Sequence, residues 1–196
     1  MMMARALMYS AVYFHRVTRV TEVMLSRAVE RSSDQMPESL DLQRRVDAEI
    51  WEVLGGAGDY AQDMIRRLKY RQLLKVCCSR RREELTPQQV ERLLEIATNP
   101  DSRRQFEDNL AHRAGLLPGY VAIDVPNVKL LLAEPRMSQV DVRIIGDDGR
   151  TRWFREHTPI AEALRNRQVS QAAVYVITLP GHLSDVAQLA ERHLFS

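Results

Sequence analysis

The chain has 196 residues, of which 28 are Lys or Arg and 26 are Asp or Glu, giving a net charge of +2. That length holds one ordinary domain or two small ones, and the near balance of charge lacks the strongly basic face of a dedicated nucleic-acid binder. Apolar residues at 45% and charged residues at 28% exclude wholesale disorder, and no apolar run approaches the roughly 18–20 residues of a membrane span.

The chain opens without a signal-peptide pattern, and Cys77 and Cys78, being adjacent, cannot staple distant segments, so a reducing cytoplasm is the expected location. Met3, Leu7, Ala11, Phe14, Thr18, Thr21, Leu25 and Ala28 recur at spacings of three and four and predict one helix over 3–30. Its Met1-Met2-Met3 opening carries no capping residue, so the sequence reads as the later part of a longer protein, entered within a helix. The polar stretch from Arg31 to Pro37 ends that helix. Leu42, Val46, Ile50, Val53 and Leu54 predict a second over about 40–54, stopped at Gly55-Gly56. A third is expected from Asp59 to Val76, leaving Cys77-Cys78 as structural thiols at its end and Arg80-Arg81-Arg82 as a solvated terminus. Thr86-Pro87-Gln88-Gln89 is a capping box that starts a fourth helix, and Asn99-Pro100 caps a fifth that closes at Gly115.

After Gly115 the period shortens to two. Strands are expected over Tyr120–Val125 and Val140–Ile145, and Asp147-Asp148-Gly149 forms a hairpin turn into Thr151–Phe154. Thr158-Pro159 begins a short helix to about Arg165, Ala172–Leu179 is an apolar strand, and Ser184–Leu194 is a final helix. The expected fold is therefore α+β: a bundle of about five helices over 1–115, then a small domain over 116–196 in the order β-β-β-α-β-α.

Motifs for phosphate loops, dinucleotide binding, nucleophile elbows and zinc hydrolases are absent. His15, His112, His157, His182 and His193 are scattered and read as surface or capping residues, so no catalytic or metal-binding residue is assigned. At 100° per residue Arg5, Tyr9, Val12, Tyr13, Arg16 and Arg19 share about one third of the first helix's circumference. Guanidinium groups suit phosphate and tyrosine stacks on sugar or base, but the same face also serves as a solvated surface whose arginines pair with acids elsewhere. Spacing alone favours the second reading.

The segment Met8-Tyr9-Ser10-Ala11-Val12-Tyr13-Phe14-His15-Arg16 resembles the M-Y-x-x-V-Y-x-H-[KR] helix of HD-domain phosphohydrolases of the dNTP triphosphohydrolase type. The resemblance continues through Arg19, Glu22, Met24, Leu25 and Ala28, then Leu68–Lys75, then Gly119-Tyr120-Val121-Ala122-Ile123-Asp124-Val125-Pro126. It spans nearly the whole chain and corresponds to the C-terminal half of such enzymes. Their catalysis uses an H…HD…D ligand set for a divalent metal, and this sequence contains no His-Asp dipeptide.

The resemblance implies that Arg5 contacts substrate phosphate, that Tyr13 packs on the sugar, and that His15 and Arg16 meet phosphate or an effector nucleotide at a subunit interface. Phe14 stands where dNTP-specific members carry glutamine. On this reading the chain is the part of a nucleoside-phosphate hydrolase that supplies such contacts, inactive alone and without a cofactor of its own, the metal belonging to the full-length parent. The alternative is a stand-alone regulatory protein that binds nucleotide without turnover. Either way a homo-oligomer with nucleotide as ligand is expected, with neither membrane nor nucleic acid as partner.

Overall fold

The computed structural model describes residues 15–35, 44–81, 84–125, 143–145, 149–153 and 172–196. Helix α1 spans Arg16–Arg31, preceded by His15 in an extended conformation (φ −64°, ψ 133°), whose ring accepts a hydrogen bond from the Val17 N–H at 3.3 Å. The expected unbroken helix over 3–30 is thus corrected: a cap interrupts it at His15, and residues 1–14 lie outside the described residues. The buried face is also rotated. It runs through Val20, Val23, Met24, Arg27 and Ala28, whereas Leu25 is 37% exposed. Val20, Val23 and Met24 keep helical spacing and bury more apolar surface than Thr18 and Thr21, so burial follows them.

Helix α2 (Asp47–Gly56) starts later than expected because Val46 is extended, its N–H bonded to the Glu49 carboxylate at 3.2 Å. Gly55 and Gly56 form its last turn instead of stopping it. Helix α3 covers Asp59–Lys69, not 59–76. The chain turns at Tyr70 and Arg71, the latter at φ 55°, and then enters strand β1, Lys75–Arg81. Cys77, Cys78, Arg80 and Arg81 therefore belong to a strand rather than a helix end. Helix α4 (Pro87–Thr98) has the expected reciprocal cap: the Gln89 N–H donates to the Thr86 hydroxyl at 3.3 Å, and the Thr86 N–H to the Gln89 amide oxygen at 2.9 Å. Helix α5 (Pro100–Arg113) is capped by Asn99, which accepts from the Asp101 and Ser102 N–H groups at 3.1 Å.

Strands β2 (Val121–Asp124), β3 (Arg143–Ile145), β4 (Thr151–Trp153) and β5 (Ala172–Thr178) lead to helix α6, Leu183–His193. β3 and β4 pair antiparallel, Ile145 opposite Thr151, as a hairpin requires. The expected turn residues Asp147 and Asp148 and the expected helix from Thr158 to Arg165 lie outside the described residues.

The class is α+β, with six helices and a three-stranded antiparallel sheet among the described residues. The sheet order is β1-β5-β2, so β1 interrupts the expected run of helices and pairs with a strand from beyond Gly115–Pro118. Each sheet face carries its own core. On one, Val121, Ile123, Val174 and Val176 meet Leu93, Ile96, Leu110, Ala111, Val186, Ala190 and Leu194 of α4, α5 and α6 and the turn after α6. On the other, Ala122 and Ile177 meet Val20, Val23, Met24, Ala28, Ala61 and Met64 of α1 and α3. Covered from both sides, β2 buries all four residues.

Candidate functional site: a charged seam between α1, α5 and β2

Three arginines on α1 at helical spacing grip the segment Gly119–Asp124 and helix α5. Arg19 holds Asp124 through two parallel bonds, Nε to Oδ2 at 2.9 Å and Nη2 to Oδ1 at 2.6 Å, while its Nη1 meets Glu22 at 2.6 Å. One helical repeat pair further on, Arg27 donates to Glu107 from Nε at 3.1 Å and Nη2 at 2.7 Å, and reaches the Ile123 carbonyl at 3.2 Å. Glu107, 1% exposed, also accepts the Ile123 N–H at 2.9 Å. Arg31 binds Asp108, whose Oδ1 accepts the Gly119 N–H at 2.9 Å. Glu30 collects Arg103 at 2.7 and 2.8 Å, Arg27 at 3.1 Å and Arg104 at 3.2 Å.

Bidentate geometry makes these pairs strong and directional, and burial makes them unforgiving if one partner is lost. Burial opposes the charge on Arg27, but contact with Glu107 outweighs it and holds the guanidinium above its ordinary pKa. Burial likewise raises the Glu107 carboxyl, opposed by Arg27, the Ile123 N–H and Arg103.

Gly119 sits where a side chain has no room. At φ 92° its added Cβ would fall 2.5 Å from the Tyr60 ring, and the Tyr60 hydroxyl donates to the Gly119 carbonyl at 2.9 Å. Its neighbour Tyr120 donates to Asp63 at 2.8 Å, and burial together with that carboxylate pushes the phenol up to about 12.

Beside the seam lies a cavity of about 250 Å³ lined by Arg19, Glu22, Ser26, Arg27, Arg103 and Asp124 among others. A typical small-molecule pocket is about 300–1,000 Å³. Arg19, Arg27 and Arg103 each already face a carboxylate. An anion entering here must displace an acid, so the first chemistry of the seam is to lock α1 against β2 and α5.

The sequence-derived residues lie at one end of this arrangement. His15 and Arg16 are adjacent and exposed, His15 acting as the cap of α1. Arg5 and Tyr13 lie outside the described residues. Arg19, counted on the basic face, is spent on Asp124 and Glu22, the pairing alternative. Sequence reasoning missed Arg27, Glu107 and Asp108. Their signal was present: Arg27 stands between Met24 and Ala28 on the apolar face, and Glu107 precedes Leu110 and Ala111 by three and four residues.

A profile for the family described as HD associated region matches residues 1–195. The chain belongs to the HD associated region family. It is thus a region associated with HD-domain phosphohydrolases, and the segments matched include both ends of the seam, α1 and Gly119–Asp124. No match is found among curated proteins. HD-domain hydrolysis implies a divalent metal, which the donors among the described residues do not fit. Among the described residues no three His, Cys, Asp or Glu side chains converge, and the carboxylates of the seam are turned to guanidinium groups. No helix among the described residues is long and apolar enough to cross a membrane.

Proposed function

We propose that this chain completes an HD-domain phosphohydrolase of the dNTP triphosphohydrolase type, supplying contacts to nucleoside phosphates and between subunits while turnover belongs to the HD domain. The observation that carries this reading is the seam. The part-buried pair Arg19–Asp124 holds α1 to the sheet and the buried pair Arg27–Glu107 holds it to α5, so the His15–Arg16 end has a fixed position from which to meet a phosphate. In this reading Arg5 and Tyr13 contact phosphate and sugar, and Arg16 with His15 contacts phosphate or an effector nucleotide at a subunit interface. The HD domain packs along the open groove formed by Leu25, Val29 and Pro100 between α1 and α5. The two regions 1–115 and 116–196 act as one support, the chain self-associates, and the setting is cytoplasmic.

Titration of the purified chain with dGTP, GTP and ATP by calorimetry tests the proposal. A charge-assisted contact contributes about 1–3 kcal/mol, and a few of them barely offset the cost of immobilising a ligand, so a Kd near about 1 mM is expected. Arg16→Ala should weaken it further. Micromolar affinity lost in Arg16→Ala would overturn the proposal in favour of a stand-alone nucleotide-binding regulator.

A further inference from the structure

Cys77 and Cys78 lie on β1, at the edge of the sheet among the described residues, and a strand would normally point adjacent side chains to opposite faces. The pairing of β1 with β5 prevents this. Val76 faces Ile177 and Cys78 faces Val176, so Cys77 is the extra residue of a β-bulge. Val76 packs on the core beneath α1, whereas both cysteines pack on the opposite core, with Val174 and Val176. Both thiols are half-buried and free, and Cys77 Sγ donates to the Val176 carbonyl at 3.3 Å. Above them α6 is tied to β1 by the Arg80–Glu191 ion pair. Two adjacent thiols on one face form a pair that an ordinary strand cannot make.

We propose that the bulge makes Cys77 and Cys78 a vicinal dithiol that is reversibly oxidised to a disulfide by hydroperoxides. One of the two thiolates attacks one peroxide oxygen: an S–O bond forms, the O–O bond breaks, and the departing alkoxide takes a proton to leave as an alcohol, or as water from hydrogen peroxide. The other cysteine's sulfur then attacks the sulfenic sulfur. The S–S bond forms, the S–O bond breaks, and hydroxide leaves as water with the proton of that second thiol. Two thiols lose two electrons in all, and the peroxide gains them. Adjacent Cα atoms are about 3.8 Å apart, below the roughly 4.4–6.8 Å of ordinary disulfides, so the product should yield readily to thiol reductants.

The test treats the full chain with hydrogen peroxide and reads intact mass, free thiols and non-reducing electrophoresis. The expected result is loss of both thiols, a monomeric mass lower by two hydrogens, and recovery of both thiols with glutathione. Cys77→Ser and Cys78→Ser should each halt at a sulfenic acid on the remaining thiol, captured by dimedone. Unreacted thiols at peroxide concentrations that oxidise free glutathione, a disulfide between two chains, or irreversible sulfinic acid at one cysteine with the other free would overturn the proposal.

Discussion

Replacing Glu107 tests whether the seam is held by its buried ion pair. Glu107 is 1% exposed and accepts two bonds from Arg27 and one from the Ile123 N–H. Glu107→Leu leaves a buried guanidinium without its main counter-charge, a change that costs about 3–5 kcal/mol. Arg27→Met strands the carboxylate and should cost about the same. For a chain of this size that corresponds to a fall in Tm of about 10 °C. The double variant removes both charges and leaves mainly the Ile123 N–H unpaired, at about 1–3 kcal/mol. The two single losses therefore should not add, and the coupling between them should exceed about 2 kcal/mol. Urea unfolding of the four proteins measures this. Arg80→Met is the control, because the Arg80–Glu191 side chains are 34% and 44% exposed and such a pair contributes less than about 1 kcal/mol. Single losses below about 1 kcal/mol, or strict additivity, would refute the assignment of the seam as the fixture of α1.

Gly119→Ala should destabilise by about 2–4 kcal/mol, combining a positive φ with a clash on Tyr60, and thermal unfolding reads the loss. Arg71→Gly should stabilise by about 0.5–1 kcal/mol, because Arg71 occupies the left-handed region at φ 55° where glycine is unstrained. Although burial opposes its charge, hydrogen bonds from Arg67, Arg66 and Tyr120 hold Asp63 below its ordinary value of 3.8. Its contribution is therefore fully present above about pH 4 and lost as pH falls through the depressed folded value. The stability gap between the parent and Asp63→Asn should be widest at neutral pH and close in acid, as urea melts at several pH values would show.

The caps of α4 and α5 were legible because Thr86-Pro87-Gln88-Gln89 and Asn99-Pro100 act locally, within one turn of each helix. Strand β5 was legible because its apolar run is short and rich in β-branched residues. Strand β1 was not. Leu73, Leu74, Val76 and Cys77 satisfy helical spacing as well as strand burial, and only pairing with β5, about a hundred residues later in the chain, decides between them. The cap at His15 was missed because the three-four spacing of apolar residues runs straight through it. The seam was half legible: Arg19 and Asp124 stood in recognised segments, but that they bind each other depends on the packing of α1 across the sheet. Arg27 and Glu107 looked like interruptions of apolar faces, and each becomes explicable only with the other opposite it.

Metal-dependent release of phosphate from dGTP by the purified chain tests most directly the claim that this region supports hydrolysis without performing it. With Mn2+, Mg2+ or Co2+ added, the account predicts no turnover above the buffer rate. Turnover that survives repurification and disappears in Arg5→Ala would contradict it.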